Sequence, residues 1–286
     1  MKKSYILTFF SLILISAIII SGCGRKLTSS TSGAGNLKYE FTGNESYSYN
    51  QSSQVSQSIV FGGQEVNSSV KSELGFTTSG RGIANGSLII DITIDTLGVA
   101  ISGMGTSMQE DINDLKGKSF MMTMDPKGEN KNLDEAENMN YDIGGMQTTS
   151  LKSSFMMLFP VLPEENIQIG YTWEDTDTVT IDADTENAEM IITTNNTVES
   201  REEVAGYDCY KINYMVSGTR DGSSQTPQGL VIMNLDIEGT GHYYFAIKEG
   251  IIVSDQSELK MDGDLTIPTG ETVPVYMTAK SELKLL

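Results

Sequence analysis

From Leu37 onward, apolar and aromatic side chains recur at alternate positions, and no other feature limits the possible folds so tightly. LKYEFTG and ESYSYNQ place aromatic residues two apart, and QSIVFGG, VKSELGFTTSG, GSLIIDITID and GVAISG follow as further strand-length runs. Successive side chains of a strand point to opposite faces, so a period of two marks a half-buried strand. Gly, Asn and Ser fill the intervals. Strands that follow one another without intervening helices predict an antiparallel meander rather than βαβ units. The expected class is mainly β, built of antiparallel curved sheets.

Two stretches look alike. GKSFMMTMDPKG runs from Gly117 to Gly128 and GTGHYYFAIKEG from Gly239 to Gly250, about 120 residues apart. In the first, Phe120, Met122 and Met124 share one face and Ser119, Met121 and Thr123 the other. Asp125-Pro126-Lys127-Gly128 then supplies turn chemistry: a side-chain acceptor, a preset φ and a residue free to take the left-handed conformation. Ile247-Lys248-Glu249-Gly250 does the same before the return strand IIVSDQSELKM. Tyr47-Ser48-Tyr49 and Tyr171-Thr172-Trp173 precede the two stretches at comparable distances, and a hairpin is expected around Ala205-Gly206. This long period predicts two similar, duplicated β-rich lobes, residues 37–148 and residues 149–286. Leu151, Phe155 and Leu158 follow helical spacing and predict a short helix that Pro160 and Pro163 end. A second short helix is expected at SMQEDINDLKG.

The N-terminus has a different purpose. Lys2 and Lys3, the apolar run Ile6 to Ile20, and the small residues Ser21 and Gly22 form an export signal over residues 1–22. Ile20-Ser21-Gly22-Cys23 resembles the lipobox of bacterial lipoproteins, which implies diacylglycerol on the Cys23 thiol and anchorage to a membrane by that N-terminal lipid. Residues 23–36 then read as a lipidated cysteine and a Ser/Thr/Gly tether. The sequence has 2 cysteines. With Cys23 committed to lipid, Cys209 is left as a small buried hydrophobe in a strand. Of 19 basic residues, Lys2 and Lys3 leave with the signal, so the mature chain carries 17 − 38 = −21. A surface this acidic repels nucleic acid and anionic headgroups, which argues against a phosphate-binding role.

No catalytic, cofactor or metal constellation stands out. The sole histidine, His242, has no partner motif and reads as structural. Asp182, Asp184 and Glu186 match the first positions of a calcium loop. Asn187 stands where its glycine belongs and Thr193 where its closing glutamate belongs, so EDTDTVTIDADTENAE reads as a solvated loop between strands. Carboxylates are plentiful, and nothing singles out a catalytic pair. Met121, Met122, Met124, Phe155 and Met156 are the candidate ligand-contacting residues, because flexible thioethers adapt to acyl chains. Dense packing between sheet and helix is the competing account of the same residues.

The order GKSFMMTMDPKG, FPVLPEENIQIGYTWED, EEVAGYDCYKI, GTGHYYFAIKEGIIV resembles a group of bacterial lipoproteins known only as a domain of unknown function. Its motifs are structural and transfer no functional residue. In architecture, a lipid anchor followed by a curved sheet and short helices is also similar to half-barrel lipoprotein carriers, which hold acyl chains in an apolar cavity. The resulting expectation is a non-enzymatic envelope lipoprotein on the extracytoplasmic side, at the outer membrane or cell surface, that binds an apolar ligand or an envelope protein. The alternative is a structural or adhesive surface lipoprotein with no pocket.

Overall fold

The computed structural model describes residues 36–41, 43, 45–103, 106–143, 147–183, 186–226 and 229–286; the signal segment, Cys23 and the tether up to residue 35 lie outside them. The first half contains β1 (Ser46–Phe61), β2 (Gln64–Ala84), β3 (Ser87–Gly103), β4 (Thr106–Asp111), β5 (Ser119–Met124) and β6 (Asn130–Asn132). Helix α1 (Asp134–Glu137), the hairpin β7 (Asn140–Ile143) and β8 (Gln147–Ser150), and helix α2 (Lys152–Phe155) come next. The second half is β9 (Thr172–Ala183), β10 (Glu186–Val204), β11 (Tyr207–Thr226), β12 (Gly229–Ala246), β13 (Ile251–Thr266) and β14 (Thr272–Leu285).

The alternation read from the sequence becomes the pleat of these strands. Along β12, Val231, Met233, Leu235 and Ile237 are buried while Leu230, Ile232, Asn234, Asp236 and Glu238 are exposed. Three hairpins are closed by turns with positive φ at both central residues: Gly62-Gly63 between β1 and β2, Asn85-Gly86 between β2 and β3, and Ala205-Gly206 between β10 and β11. Such turns match the strands' right-handed twist.

All the long strands join one 12-stranded sheet in the order β6-β5-β3-β2-β1-β14-β13-β12-β11-β10-β9, with β4 added on β3. Every neighbour is antiparallel. The chain moves outward from β1 to β6, returns at β9, and moves inward to β14, which pairs with β1 from Tyr49 opposite Leu285 to Ile59 opposite Val275. The two halves therefore build no separate cores. Ile90 of β3, Phe155 of α2, Ile212 of β11 and Val275 of β14 belong to a single buried cluster. A small satellite of Val70, Val99 and Ile143 sits under the β7–β8 hairpin.

The two similar stretches sit at different places in the sheet, β5 one strand from the outer edge and β12 well inside it. Each is strand, turn, strand, and the strand before the turn is paired with β3 in one case and β11 in the other. A strap at residues 37–41 joins them. Tyr39 N–H donates to Pro126 O at 2.8 Å and Glu40 N–H donates to Gly250 O at 3.1 Å, so one extended segment crosses both turns. Leu37, Tyr39 and Phe41 of the strap are buried. Gly128 and Gly250 let it pass: both have positive φ, and a Cβ at Gly128 would lie 2.7 Å from Pro160 O, and one at Gly250 2.6 Å from Glu40 N.

Two local expectations differ from the structure. SMQEDINDLKG is not helical: residues Thr106–Asp111 form β4, paired to β3 with Met108 opposite Ile101, and only Asn113–Leu115 make a 3-10 turn. The spacing of Met108, Ile112 and Leu115 suits a helix, but β3 presents an unpaired edge there and captures the segment. The run EDTDTVTIDADTENAE is not a loop either. It forms most of β9 and the start of β10.

Candidate functional site

A sheet that follows chain order and closes at β1·β14 has two outer edges, β6 and β9. They do not pair. The chain between them fills the gap instead. Phe155 of α2 stands between Phe76 and Phe120, with ring centroids 5.2 and 5.0 Å away. Phe159 meets Tyr39 and Phe41 edge-on at 5.5 and 5.8 Å. Leu162 N–H donates to Lys127 O at 2.7 Å, and Tyr39 O–H donates to Pro160 O at 2.8 Å.

Beside this plug, the face of β9 borders a cleft of about 570 Å³ lined by the turn at Asp125, Lys127 and Glu129, the loop Val161 to Glu165, and residues Trp173 to Asp177. A second cleft of about 340 Å³ continues along β9 to Val179 and shares Glu129, Val161 and Asp177 with the first. The wall is acidic. Lys127 is the one basic residue lining the larger cleft, and its ammonium donates to Asn36 Oδ1, to Leu37 O at 2.8 Å and to Pro163 O at 2.7 Å. Burial pulls the Lys127 pKa down, against the carboxylates of Glu164, Asp125 and Glu165.

Alternation on β9 turns Trp173, Asp175, Asp177 and Val179 to the same side, the side of the core. On the neighbouring strand Asn196 lies opposite Trp173 and Thr194 opposite Asp175. These four are only 4% (Trp173), 8% (Asp175), 1% (Thr194) and 2% (Asn196) exposed. Trp173 Nε1, Asp175 Oδ2, Thr194 Oγ1 and Asn196 Nδ2 are buried with no hydrogen-bond partner in the protein. One such group is costly; four adjacent ones mark a place where a partner from outside the chain fits. Burial, and then the charge of Asp177, push the Asp175 carboxyl up to about 7, opposed by the Thr176 N–H. The Asp177 carboxyl is raised by burial and by Glu129.

The residues singled out in the sequence fall elsewhere. Met122 and Met124 are buried on β5 opposite Ile90 and Leu88, and Phe155 is buried above them. Met121 points to the opposite face, where it is 36% exposed and its N–H donates to Glu135 Oε2. Met156 is half-buried and borders the smaller cleft. These five residues therefore line no common surface: three are core, one is outside and one is at the seam. Cys23 lies outside the described residues. Cys209 is fully buried, and burial pushes its thiol up to about 11, which makes it unreactive as its strand context predicts. His242 packs edge-on against Tyr244 at 5.6 Å. Among the described residues no group of acidic, His or Cys side chains has the arrangement of a metal site. Sequence reasoning missed Trp173, Asp175, Thr194 and Asn196. A signal existed, since Trp173, Asp175, Asp177 and Val179 share one parity, which puts two aspartates on a core-facing side.

No protein-family model and no curated protein matches the chain. Among solved structures it is similar to Pseudomonas aeruginosa OccK5 (OpdH) at 6% identity, covering 88% of this chain and 100% of that one, with a TM-score of 0.29. An exported protein with a YmcC-like fold from Bacteroides fragilis has 11% identity, coverage of 88% and 97%, and a TM-score of 0.23. A DUF1329 family protein from Desulfovibrio piger has 12% identity, coverage of 82% and 85%, and a TM-score of 0.15. At these scores the likenesses carry no function across.

Proposed function

We propose that this chain is a non-enzymatic lipoprotein of the bacterial cell envelope, anchored through Cys23, facing the extracytoplasmic side, and binding its ligand or envelope partner at the seam between β6 and β9. The export signal and Ile20-Ser21-Gly22-Cys23 support the anchor and the address. The observation that carries the binding role is the patch of four unpartnered buried polar atoms, of which those of Trp173 and Asp175 belong to residues lining the larger cleft and those of Thr194 and Asn196 lie opposite them on β10. The two hairpins of like form under the strap support an origin by duplication, with the copies fused into one sheet.

The geometry favours the seam over an acyl-chain cavity. Met122, Met124 and Phe155 are at most 1% exposed, so the residues that would greet an acyl chain already touch one another. The filled concave face also supports the second reading, a structural surface lipoprotein without a pocket. Two measurements test the proposal. Alkyne fatty-acid labelling in cells should mark the wild type and not Cys23→Ser; equal label on both would remove the anchor. Titrating the domain from Leu37 onward with an environment-sensitive fatty acid should show partitioning without saturation. Saturable, stoichiometric uptake would move the binding site from the seam to the interior.

A further inference from the structure

Resting on the seam as the binding site, we propose that the cleft along β9 takes a small organic cation, a protonated amine that also carries a hydroxyl or carbonyl oxygen. The patch itself defines this class. Asp175 Oδ2, an acceptor, and Thr194 Oγ1, a hydroxyl able to accept or donate, form one cross-strand pair, and Trp173 Nε1 and Asn196 Nδ2 form the next, which donates. Cross-strand neighbours stand roughly 5 Å apart and successive same-face residues roughly 7 Å apart. A ligand with an ammonium and an oxygen a few bonds away would meet Asp175 and Trp173, which line the cleft, and would reach Thr194 and Asn196 opposite them by passing between the two.

The surroundings select the sign of charge. Asp125 and Glu129 reach the cleft from the turn before β6, Glu164 and Glu165 from the loop before β9, and Glu174 and Asp177 from β9 itself. In the larger cleft the single cation, Lys127, is held by three oxygen acceptors, while Lys131, which lines the smaller cleft with Lys152, is paired with Glu129 at 2.6 Å and with Asp125 at 3.8 Å. Of these six carboxylates Asp125 and Glu129 are paired with Lys131, and Glu164, Glu165, Glu174 and Asp177 remain to repel an anion and draw in an amine. Trp173 adds an aromatic wall for a cation.

Binding is linked to a proton. With its carboxyl raised to about 7, Asp175 is largely neutral in mildly acidic solution. An ammonium beside Oδ2 favours the ionised form, so uptake of the amine releases a proton, and affinity rises as pH passes from below to above 7. The groups facing Asp175 are Asp177 on its own strand, Glu129 and Lys127 across the cleft, Glu164 and Glu165 above it, and Thr194 and Asn196 on β10.

The chain has 1 tryptophan, so its indole N–H resonance reports on Trp173 alone. Titrating the ¹⁵N-labelled domain with 2-amino-1,3-propanediol should shift that resonance saturably, at least tenfold more tightly at pH 8 than at pH 5.5. Asp175→Asn should weaken binding tenfold or more at pH 8 and abolish the pH dependence, while Glu189→Gln, on the outer face of β10, changes neither. The wild-type pH series makes the same comparison without any substitution, should Asp175→Asn disturb the fold. Equal binding of glycerol or acetate would overturn the cation class and leave the seam as a binding site. An indole signal that moves with no small solute would mean that interior water alone satisfies the four groups, and would overturn the proposal and the seam reading together.

Discussion

The sheet has two seams, and they are closed by different means. At β1·β14 eleven cross-strand positions are in register, from Tyr49 and Leu285 to Ile59 and Val275, and the inward side chains Val55, Ile59, Met277 and Val275 are buried. At β6 and β9 no ladder forms. Asn130–Asn132 offers only three residues of strand, and the space is taken by α2, the following loop and the strap. A backbone ladder satisfies its own main-chain polar groups, although a cleft of about 430 Å³ borders this one too, where the Gln57 amide is buried without a partner beside Met277 and Tyr276. Side-chain packing across an open edge leaves clefts, unpaired polar atoms and perturbed carboxyls, which are the raw material of a binding site. In this fold the candidate site exists because the meander stops short of closing.

The contrast can be broken most forcefully at the plug. Phe155→Ala removes the ring between Phe76 and Phe120 and should cost about 3–5 kcal/mol in urea unfolding. A loss below about 1 kcal/mol would mean that the open seam does not depend on α2. A smaller effect is expected where the strap crosses the turn. Gly128→Ala meets both Pro160 O and a left-handed φ, so it should cost about 2–4 kcal/mol, whereas Gly62→Ala, with positive φ but open space, should cost about 1 kcal/mol. Equal losses at the two glycines would show that the strap does not press on the turn.

The smallest effect sharpens the electrostatic side of the comparison. A carboxyl held near 7 in the fold and near 4 when unfolded binds its proton more tightly in the native state. Its contribution is therefore complete below pH 4 and is lost as pH rises through 7. Asp175→Asn should match the wild type in stability near pH 4 and exceed it by about 1–3 kcal/mol at pH 8, as read by thermal melts across pH. A variant less stable than the wild type at pH 8 would show that the ionised carboxylate is stabilised by a partner within the protein.

Local chemistry made the strands readable and left their closure unreadable. The parity of GSLIIDITID and GLVIMNLDI, the turn signal of Asn85-Gly86 and the helical spacing of Leu151 and Phe155 all act over a few residues, and each predicts the element that forms. The pairing of Tyr49 with Leu285 joins positions more than 200 residues apart and leaves no local trace. So the two similar stretches point to two similar lobes and leave open whether these share a core, and the register across β1 and β14 makes one sheet of them. The same limit hid the site. Asp175 looks like loop acidity until β10 supplies Thr194 and Asn196 opposite and beside it. Just ahead of helix α1, Asn132 Oδ1 accepts from Asp134 N–H at 2.8 Å in an Asx turn, while the N-cap residue Leu133 makes no side-chain cap, so the sequence carried no capping signal there.

The strap also has a mechanical meaning. A chain restrained at its N-terminus and pulled by its folded part transmits tension first to the Lys127 contacts at Asn36 and Leu37, then to two lone backbone bonds, Tyr39 to Pro126 and Glu40 to Gly250. These bonds come one after another along the line of pull and would peel in succession, while β1 is flanked by ladders on both sides and resists in parallel. The strap is therefore the segment that yields first. Its release would free Lys127 at the wall of the acidic cleft and bare the rings of Phe159 and Phe245, so that a pull on Asn36 would be felt at the cleft by the same few residues.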